Sequence, residues 1–445
     1  MNSLKNSFQN LLYYPSAILG MLVVFLLVFT AIYAMIKIPY RDAIRLWRGG
    51  EEVWYQNPKF APPAWINFFS SKKYAESFAV RTSDGTMTKE VTPGAEGTST
   101  MSSSYTFDFS YDYYPQELIL YLSSTYEEKQ PFISVEWLTP DGRKIRIVNL
   151  AVSQKQTYRF SQDQKLKTKL RTDDVIPALF SDPETGRLIK GTYQLLITGA
   201  AFEPDSDINV EFVSHGQVYG LAGTDQARRD LIVPLLWGTP VALAFGLLAS
   251  LGTSVLTMVI AAVGTWYGGW IDELIQRITE INLVLPFLSI LIMIGTFYSR
   301  SIWVILGATI LLSIFTGAIK GYRSIFFQVK ESLYIEAARA YGASNPRIVF
   351  LYLIPRMIPL LIPGLVSAVP AFVFLEASLA LLGLGDPVLP TWGKIIEDAN
   401  ANGALYRGYY YWILEPATLL MVTGLGFAML GFALDRIFNP RLRDV

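Results

Sequence analysis

Cysteine is absent from the 445-residue sequence, and histidine occurs only once, at His215. Without cysteine the chain cannot form a disulfide, use a thiol nucleophile or bind a metal through sulfur. A single histidine also excludes a metal site built from several imidazoles. Because it lies in a polar segment, His215 is expected at the protein surface. The 37 basic and 37 acidic residues cancel, so the charge balance does not indicate nucleic-acid binding.

Sequence motifs for covalent chemistry are also missing. The chain has no Gly-x-Ser-x-Gly or His-Glu-x-x-His motif. Residues Gly186–Thr192 superficially resemble a phosphate-binding loop, but no lysine follows the second glycine. Asp205–Asn209 imitates the start of a calcium loop, although Val210 occupies the position that requires glycine. We therefore expect no catalytic residue, no metal site and no cofactor bound by this chain.

Long apolar runs are what the sequence does contain. Hydrophobic residues make up 51% of the chain and the mean hydropathy is +0.32, which is typical of a membrane protein. The runs long enough to cross a bilayer as helices are Ile18–Ile38, Leu231–Val263, Ile278–Phe297, Ile302–Ile319, Ile348–Leu382 and Trp412–Leu434. The first run is too long for a typical signal peptide and no small-x-small cleavage site follows it, so a retained span is expected. These runs predict an α-helical polytopic membrane protein with about six spans.

Positive charges set the expected orientation. Lysine and arginine crowd the connection between the fourth and fifth runs and also follow the last run, at Lys320, Arg323, Lys330, Arg339, Arg347, Arg436, Arg441 and Arg443. Basic connecting segments favour the cytoplasmic side of a membrane. Both termini and the fourth-to-fifth connection are therefore expected in the cytoplasm.

Between the first two runs the composition changes completely, and residues 40–222 contain no stretch long enough to span. Short alternating segments read as strands at 105–111, 117–122, 132–137, 144–148, 193–198 and 208–212. The turn Thr139–Arg143 predicts a hairpin between two of them, whereas 82–104 reads as a loop. We predict a mainly-β, sandwich-like extracytoplasmic domain at 40–222. It separates residues 1–39, with the first helix, from a five-helix core at 223–445.

A short stretch at about 331–345 has the start and stop signals of a small separate helix. Ser332 suits its N-cap and Gly342 suits a left-handed C-terminal stop. Asn345-Pro346 suits the start of the next helix. Helical spacing predicts one apolar face made of Tyr334, Ala338 and Tyr341. Such a face on a water-exposed helix indicates a docking partner.

Four motifs accompany the apolar runs in a fixed order. They are Gly223-Thr-Asp-Gln-Ala-Arg-Arg-Asp230 leading into Leu231-Ile-Val-Pro-Leu-Leu-Trp-Gly238, Gly264-Thr-Trp-Tyr-Gly-Gly-Trp-Ile-Asp-Glu273, Glu336-Ala-Ala-x3-Gly342, and Glu376-Ala-Ser-Leu-Ala-Leu-Leu-Gly-Leu-Gly385 with Pro390-Thr-Trp-Gly393. Alanine-rich helices produce the third motif by chance, but four motifs in order are specific. The series resembles the permease subunits of binding-protein-dependent ABC importers, in particular the second permease type of the oligopeptide/dipeptide family. The resemblance covers residues 1–65 loosely and about 215–445 closely.

The resemblance implies an importer-permease fold in the cytoplasmic (inner) membrane of a bacterium or archaeon. It implies inward transport of di- or oligopeptides, or a related solute, by alternating access. The implied partners are a homologous second permease in a heterodimer, two ABC ATPase subunits that bind ATP and Mg²⁺, and an extracytoplasmic solute-binding protein. The helix at 331–345 would then be a coupling helix, and the residues implied to contact an ATPase are Tyr334, Glu336, Ala337, Ala338, Tyr341 and Gly342.

Other candidate residues lie in the first and fourth motifs. A carboxylate within a span and a proline-interrupted helix are typical of a pathway or gate, which makes candidates of Glu376, Pro355, Pro359 and Pro363. An interhelical hydrogen bond or a helix cap is an equally good interpretation of Glu376. Salt bridging and capping at the start of the second span are expected for a structural motif of Gly223, Thr224, Asp225, Arg229 and Asp230.

The chain departs from the family pattern in four places. Arg228 stands where the family has a small residue, usually glycine, Tyr352 stands where the pattern has isoleucine, and Ile354 stands where it has leucine. The domain at 40–222 separates two segments that are nearly adjacent in the family. Its aromatic residues fit either a docking surface or, more commonly, a core, and they include Tyr111, Tyr113, Tyr114 and Tyr126.

Two rival interpretations remain open from the sequence. One is a membrane-anchored extracytoplasmic ligand-binding sensor or structural protein, which would need fewer spans and a cytoplasmic output domain. The other, for the short helix alone, is an ordinary interfacial helix lying on lipid headgroups. The sequence does not identify the solute.

Overall fold

The computed structural model describes residues 14–438, apart from the side chain of Glu96. Arg441 and Arg443, which contributed to the predicted orientation, lie outside these residues, as does the polar segment before residue 14. The chain divides into two compact units. One contains the residues up to Arg48 together with those from Val233 onwards, and is called the helical unit. The other contains Gly49–Ile232 and is called the insert.

Helices are found in both units, and α3–α6 belong to the insert. In chain order they are α1 Pro15–Lys37, α2 Tyr40–Arg48, α3 Gly50–Val53, α4 Ile66–Phe69, α5 Gln164–Leu170, α6 Val175–Phe180, α7 Ile232–Tyr267, α8 Gly269–Val284, α9 Phe287–Phe297, α10 Ile302–Ile314, α11 Gly317–Lys330, α12 Leu333–Ala340, α13 Asn345–Ile348, α14 Ile358–Leu379, α15 Trp392–Ala401, α16 Ala404–Arg407 and α17 Tyr411–Phe438.

Within residues 14–438, four helical segments are long and apolar enough to cross a membrane, namely α1, α7, the stretch Asn345–Leu384 and α17. Two further candidates, α8 with α9 and α10 with α11, are pairs bent by 79° and 49°. The predicted polytopic helical architecture is therefore confirmed at four continuous spans, or up to six if each bent pair is one span.

The predicted spans 278–297 and 302–319 each contain a break in the helix. Pro286 separates α8 from α9, because proline removes an amide donor and disfavours a helical residue before it. Between α10 and α11, the side-chain amide of Asn282 donates to the carbonyls of Leu312 and Phe315, both at 2.8 Å. These bonds satisfy acceptors that the break would leave unpaired.

The proline-rich segment Asn345–Leu384 changes helix type along its length, as its sequence predicts. A π-helical turn at Val349–Leu353 is followed by a 3₁₀ turn at Ile354–Met357, which contains Pro355. Pro355 has no amide to continue the α-helical ladder, so the α-helical pattern resumes only at α14. The segment ends in a second π-helical turn, where Gly383 has φ +82°.

The first and last spans approach each other at glycine. A Cβ atom on Gly20 of α1 would lie 2.8 Å from the amide nitrogen of Leu430 and 2.9 Å from the carbonyl oxygen of Gly426. Only a residue without a side chain allows two helix backbones to come this close, and small residues at such contacts are typical of membrane helix pairs. This contact packs α1 onto α17.

The insert is a β-sandwich. Its strands are β1 Phe78–Arg81, β2 Thr88–Pro93, β3 Ser99–Phe109, β4 Glu117–Thr125, β5 Phe132–Leu138, β6 Lys144–Ala151, β7 Lys155–Arg159, β8 Gly191–Ala201 and β9 Asp207–His215. They form a four-stranded sheet in the order β1-β9-β4-β7 and a five-stranded sheet in the order β2-β3-β8-β5-β6. All neighbouring strands pair antiparallel.

The six predicted strands and the hairpin between β5 and β6 are confirmed. The predicted loop at 82–104 is wrong, because β2 and half of β3 lie there. The strands that the sequence did not indicate are short or polar, namely β1, β2 and β7. β2 is exposed along nearly its whole length, so it carries no alternation of apolar and polar residues that could reveal it.

Aromatic side chains fill the space between the two sheets. The largest fully buried ones are Trp137, Phe160, Phe180, Tyr193 and Phe212, which contact one another at angles typical of aromatic clusters. The four tyrosines named from the sequence are not among them. Tyr111 and Tyr114 are half-buried against this core, whereas Tyr113 is exposed and stacks on Tyr74 at 4.6 Å.

The two ends of the insert meet. The amide of Thr224 donates to the carbonyl of Ala61 at 2.8 Å, and the Thr224 hydroxyl accepts from the amide of Ala61 at 3.1 Å. A third bond joins the amide of Phe60 to the carbonyl of Asp225. These bonds hold together the two chain segments between which most of the insert lies.

His215 is buried, so the prediction of a surface histidine is wrong. Its Nε2 lies 3.0 Å from the carbonyl oxygen of Tyr55, and its Nδ1 lies 3.1 Å from Nη1 of Arg228. The arginine can only donate, so Nδ1 accepts and Nε2–H donates to Tyr55. Burial, and then the positive charge of Arg228, lower the pKa of His215 to about 4.

This depressed pKa predicts acid sensitivity of the insert. Histidine in the unfolded chain titrates near its ordinary pKa of about 6.5. Between pH 6.5 and 4, His215 is therefore protonated in the unfolded chain but neutral in the folded one. The stability contributed by neutral His215 is present above pH 6.5 and is lost as the pH falls, by up to about 3 kcal/mol. Unfolding of the full chain at pH 7.0 and 5.0, followed by the near-ultraviolet circular dichroism of the aromatic core, measures it.

The control is His215→Gln, which keeps a polar group at the site but does not titrate. We expect the variant to lose less stability than the wild type between the two pH values. An equal loss in both proteins would show that other groups carry the acid sensitivity.

Candidate functional site

The helix predicted around residues 331–345 is α12, and its first turn is built differently from expectation. Ser332 occupies the N-cap position, but its hydroxyl donates to the carbonyl of Val329 at 2.5 Å and does not accept from a helix amide. The next helix, α13, begins at Asn345 as expected, with Ser344 at its N-cap position. The partner of the Ser332 hydroxyl lies a few residues away, and the sequence does not specify it.

The C-terminal end of α12 has the conformation predicted for its glycine. Gly342 has φ +80°, its amide donates to the carbonyl of Arg339, and the amide of Ala343 donates to the carbonyl of Ala338. These two bonds form a Schellman motif, which requires a left-handed residue at the position of Gly342. The turn therefore fixes the direction in which the chain leaves α12.

α12 has an inner and an outer face. Ile335 and Ala338 are buried in an apolar cluster that also contains Trp266, Phe326 and Ile348. The prediction that Ala338 shares the exposed face is therefore wrong.

The outer face of α12 consists of Leu333, Tyr334, Ala337 and Tyr341, and Leu333 and Tyr341 are 82% and 93% exposed. Glu336 is also exposed. The sequence interpretation missed Leu333, although its spacing of four residues before Ala337 was a usable signal.

Basic residues attach α12 and the end of α11 to the end of α7. The guanidinium of Arg339 lies 4.5 Å from the ring centre of Trp266, a cation–π contact. The ammonium of Lys330 donates to the carbonyls of Thr265 and Trp266, at 2.9 and 3.1 Å. Because these carbonyls belong to the last turn of α7, the positive charge also complements the helix dipole. α12 is therefore held to a spanning helix.

The second motif contributes an ion pair near this site. Asp272 of α8 accepts from Nε of Arg323 in α11 at 2.8 Å and from its Nη2 at 2.5 Å. This two-pronged geometry is the strongest form of an arginine–carboxylate pair. It ties α8, which precedes the break at Pro286, to α11, which follows the break after α10, and no sequence pattern predicted it.

The fourth motif packs against the end of the first through Trp392. This side chain is buried, and its indole N–H donates to the carbonyl of Leu235 in α7 at 2.9 Å. A Cβ on Gly238 would lie 2.3 Å from the Trp392 ring, and a Cβ on Gly393 would lie 2.6 Å from Cα of Ala377. The glycines of both motifs are therefore needed for close packing.

The pathway candidates are distributed along one long segment. Glu376 is buried within the helical unit, and its carboxyl group is hydrogen-bonded to the Thr391 side chain. Pro363 is also buried, whereas Pro355 and Pro359 are exposed. Pro355 precedes Glu376 by 21 residues, or about 30 Å of helix, so the structure does not bring these two candidates together.

The first motif forms a compact hydrogen-bonded loop before α7. The carboxylate of Asp225 is completely buried and accepts from the amides of Ala227 and Arg229 and, at 2.5 Å, from Nε of Arg229. Asp230 accepts from the amide of Ile232, the first residue of α7. Burial raises the pKa of Asp230 to about 6.

Two residues of the first motif adopt left-handed backbone conformations. Gly223 has φ +72° and Arg228 has φ +65°. A glycine at the position of Arg228, as in the family pattern, would adopt this conformation without strain. In this chain the side chain of Arg228 offsets the strain of the left-handed backbone, because its Nη1 donates to the Asn57 carbonyl at 2.6 Å and to Nδ1 of His215.

The comparisons with known proteins each cover half of the chain or less. Residues 253–444 match the family described as the inner membrane component of binding-protein-dependent transport systems. The dipeptide transport system permease protein DppC of Alkalihalophilus pseudofirmus is 30% identical over 228 residues, which is 50% of this chain and 72% of the relative. The oligopeptide transport system permease protein OppC of Bacillus subtilis is 28% identical over 50% of this chain and 72% of its own length.

A third relative is the glutathione transport system permease protein GsiD of Pectobacterium atrosepticum. It is 25% identical over 225 residues, which is 50% of this chain and 73% of the relative. The matched family region contains the second, third and fourth motifs and α12. The chain therefore belongs to the inner membrane components of binding-protein-dependent transport systems, the permease subunits of ABC importers.

Proposed function

We propose that this chain moves peptides, or a chemically related solute, inward across the cytoplasmic membrane by alternating access. The observation that carries the proposal is α12, a helix fixed to α7 on one side and exposing Leu333 and Tyr341 on the other. Leucine and tyrosine on a rigid helix suit a groove on a protein partner. The dipeptide, oligopeptide and glutathione permeases among the relatives support a peptide-like cargo.

In this proposal α12 is the coupling helix, and the energy comes from ATP and Mg²⁺ bound by two partner ATPase subunits. A homologous second permease completes the pathway as a heterodimer, and an extracytoplasmic solute-binding protein delivers the cargo. Both termini and α12 lie in the cytoplasm, and the insert lies outside. Basic residues beside α12, including Lys330 and Arg339, support this orientation.

The rival function, a membrane-anchored sensor, fits the chain less well. A ligand sensor needs one or two spans, whereas the described residues offer four to six candidate spans. The relatives and the matched family are transport proteins, which favours the permease.

The test of the transport function uses the full chain purified from its native membrane with an affinity tag. We expect two ATPases, a second permease and a solute-binding protein to co-purify. Once reconstituted into a membrane, the complex should transport radiolabelled trialanine only when ATP is supplied on the side of the membrane that carries the ATPases. Sugar or metal uptake without peptide uptake would overturn the peptide cargo. A chain that co-purifies with no ATPase would overturn the coupling role.

The insert is proposed to dock the solute-binding protein. One face of its four-stranded sheet carries a cross-strand row of Arg81, Glu211, Tyr121 and Thr157. Glu211 accepts from Nε of Arg81 and the hydroxyl of Tyr55, both at 3.0 Å. These residues line an open groove of about 860 Å³ that has mixed charge and two half-buried tyrosines, Tyr55 and Tyr121. Tyrosine and arginine are enriched where proteins bind one another.

Excision of the insert tests this role. We expect replacement of residues 66–215 by a Gly/Ser linker of about eight residues to preserve membrane insertion. The retained ends stay paired, because Ala64 donates to Gly220 and Tyr219 donates to Pro62, both at 2.9 Å. Affinity for the binding protein and peptide uptake should each fall roughly tenfold or more, which corresponds to 1.4 kcal/mol of binding free energy.

The matched control for excision is the full-length chain carrying Arg146→Gln, on an exposed position of the other sheet. It should bind and transport like the wild type. Unchanged affinity and uptake in the excised protein would overturn the docking role without affecting the transport proposal.

A further inference from the structure

An exposed apolar patch lies on the insert. It consists of Trp65, Phe68, Phe69 and Leu221, and is called the apolar patch. Phe68 and Phe69 are each 84% exposed and Leu221 is 72% exposed. Phe132 and Phe202, also on the insert surface, are about half as exposed. Adjacent large side chains this exposed on a well-packed domain mark a surface that contacts something apolar.

The patch is held in a fixed shape. The indole N–H of Trp65 donates to the carbonyl of Leu221 at 2.9 Å, and the Trp65 ring meets that of Phe69 edge-on at 6.2 Å. The turn that carries both phenylalanines is locked by Asn67, whose side chain donates to the carbonyl of Tyr74 and accepts from its amide. Because Asn67 is buried, the phenylalanines beside it are directed outward.

The patch lies close to the start of a spanning helix. Leu221 precedes Gly223 by two residues, and the carbonyl of Gly223 accepts from the amide of Leu231 at 3.1 Å. The next residue, Ile232, begins α7, which is a candidate membrane span. Two peptide units and one hydrogen bond put Leu221 within roughly 12 Å of the point where α7 begins. Because this candidate span begins with apolar residues, we expect the interfacial region of the bilayer near that point.

We propose that the apolar patch inserts into the interfacial region of the lipid bilayer and anchors the insert to the membrane surface. Tryptophan and phenylalanine side chains favour this region. Two lysines that follow the turn, Lys72 and Lys73, are exposed and carry the charge that attracts anionic headgroups. The anchoring limits the tilting of the insert, so that its polar groove keeps a constant orientation to the membrane.

The absence of cysteine from the sequence makes a direct test possible. The full chain carrying Phe68→Cys is labelled with the fluorophore NBD and placed in nanodiscs of phosphatidylethanolamine and phosphatidylglycerol. Lipids that carry a nitroxide near the headgroup should quench this label roughly threefold more than a label at Phe132→Cys, the matched control on β5. Leu221→Cys provides a second reporter from another part of the patch, in case the label at position 68 disturbs the turn.

Each outcome decides the proposal. Stronger lipid quenching at positions 68 and 221 than at 132 supports it. Quenching by aqueous iodide, with no excess over the control from lipid nitroxides, would show a water-exposed patch and overturn it. Protection from both quenchers would show that a protein partner or a second copy covers the patch, which also overturns the lipid proposal.

Discussion

Replacing Gly342 by valine is expected to reduce peptide uptake roughly tenfold or more while leaving the chain in the membrane. Gly342 has φ +80°, and a β-branched residue in that region costs about 1–3 kcal/mol. A Cβ there would meet no atom within 4 Å, so the effect comes from the backbone and not from a clash. The turn at Gly342, which fixes the direction in which the chain leaves α12, would be lost. ATP-dependent uptake and co-purification of the ATPases, compared at equal membrane amounts, measure the effect.

Asparagine is the matched control at this position, because it adopts left-handed conformations more readily than other side chains. We expect Gly342→Asn to retain most transport. Glu336→Lys tests the same surface by charge, since Glu336 is exposed in the first turn of α12, where a negative charge is favoured. Wild-type uptake in both Gly342→Val and Glu336→Lys would contradict the coupling role of α12.

Truncation of Trp392 to alanine is expected to destabilise the helical unit by about 3–5 kcal/mol, the range for removing a large buried aromatic side chain. Trp392 is only 1% exposed, fills the space over Gly238 and donates to the carbonyl of Leu235. The variant therefore loses packing and a hydrogen bond between α7 and α15. Equilibrium unfolding in mixed detergent micelles measures the free-energy difference.

Trp270→Ala is the control for this experiment, because Trp270 is also in the helical unit but is 73% exposed. Its removal should change the free energy of unfolding far less. Equal destabilisation by both substitutions would mean that loss of an indole group, and not the contact between the two motifs, sets the stability. A stable Trp392→Ala variant would contradict the packing role directly.

The hydrophobic runs predicted the spanning helices well because helix formation in a bilayer depends on local composition and length. The breaks were harder to foresee. Pro286 was visible in the sequence, but the bend between α10 and α11 is stabilised by Asn282, which is 30 and 33 residues away from the two carbonyls it bonds. A contact over that distance leaves no periodic signal.

The insert shows the same division. Alternating strands such as β4 and β5 were predictable, because one face of each is buried in the sandwich. Polar edge strands such as β2 were not, since their pairing rests on backbone hydrogen bonds that any residue can make. The burial of His215 was also invisible, because Arg228 and Tyr55, which enclose it, come from elsewhere in the chain.

The sequence by itself determined that this is a helical membrane protein with a β-rich insert, and its ordered motifs indicated the permease family. It also identified α12 and the left-handed glycine that ends it, because capping and periodicity act within a few residues. Only the tertiary structure decided which face of α12 is exposed, since the neighbours of Ile335 and Ala338 lie on other helices. It also showed that residues 61 and 224 meet at the base of the insert. Contacts of this kind depend on how distant segments pack, which no local pattern records.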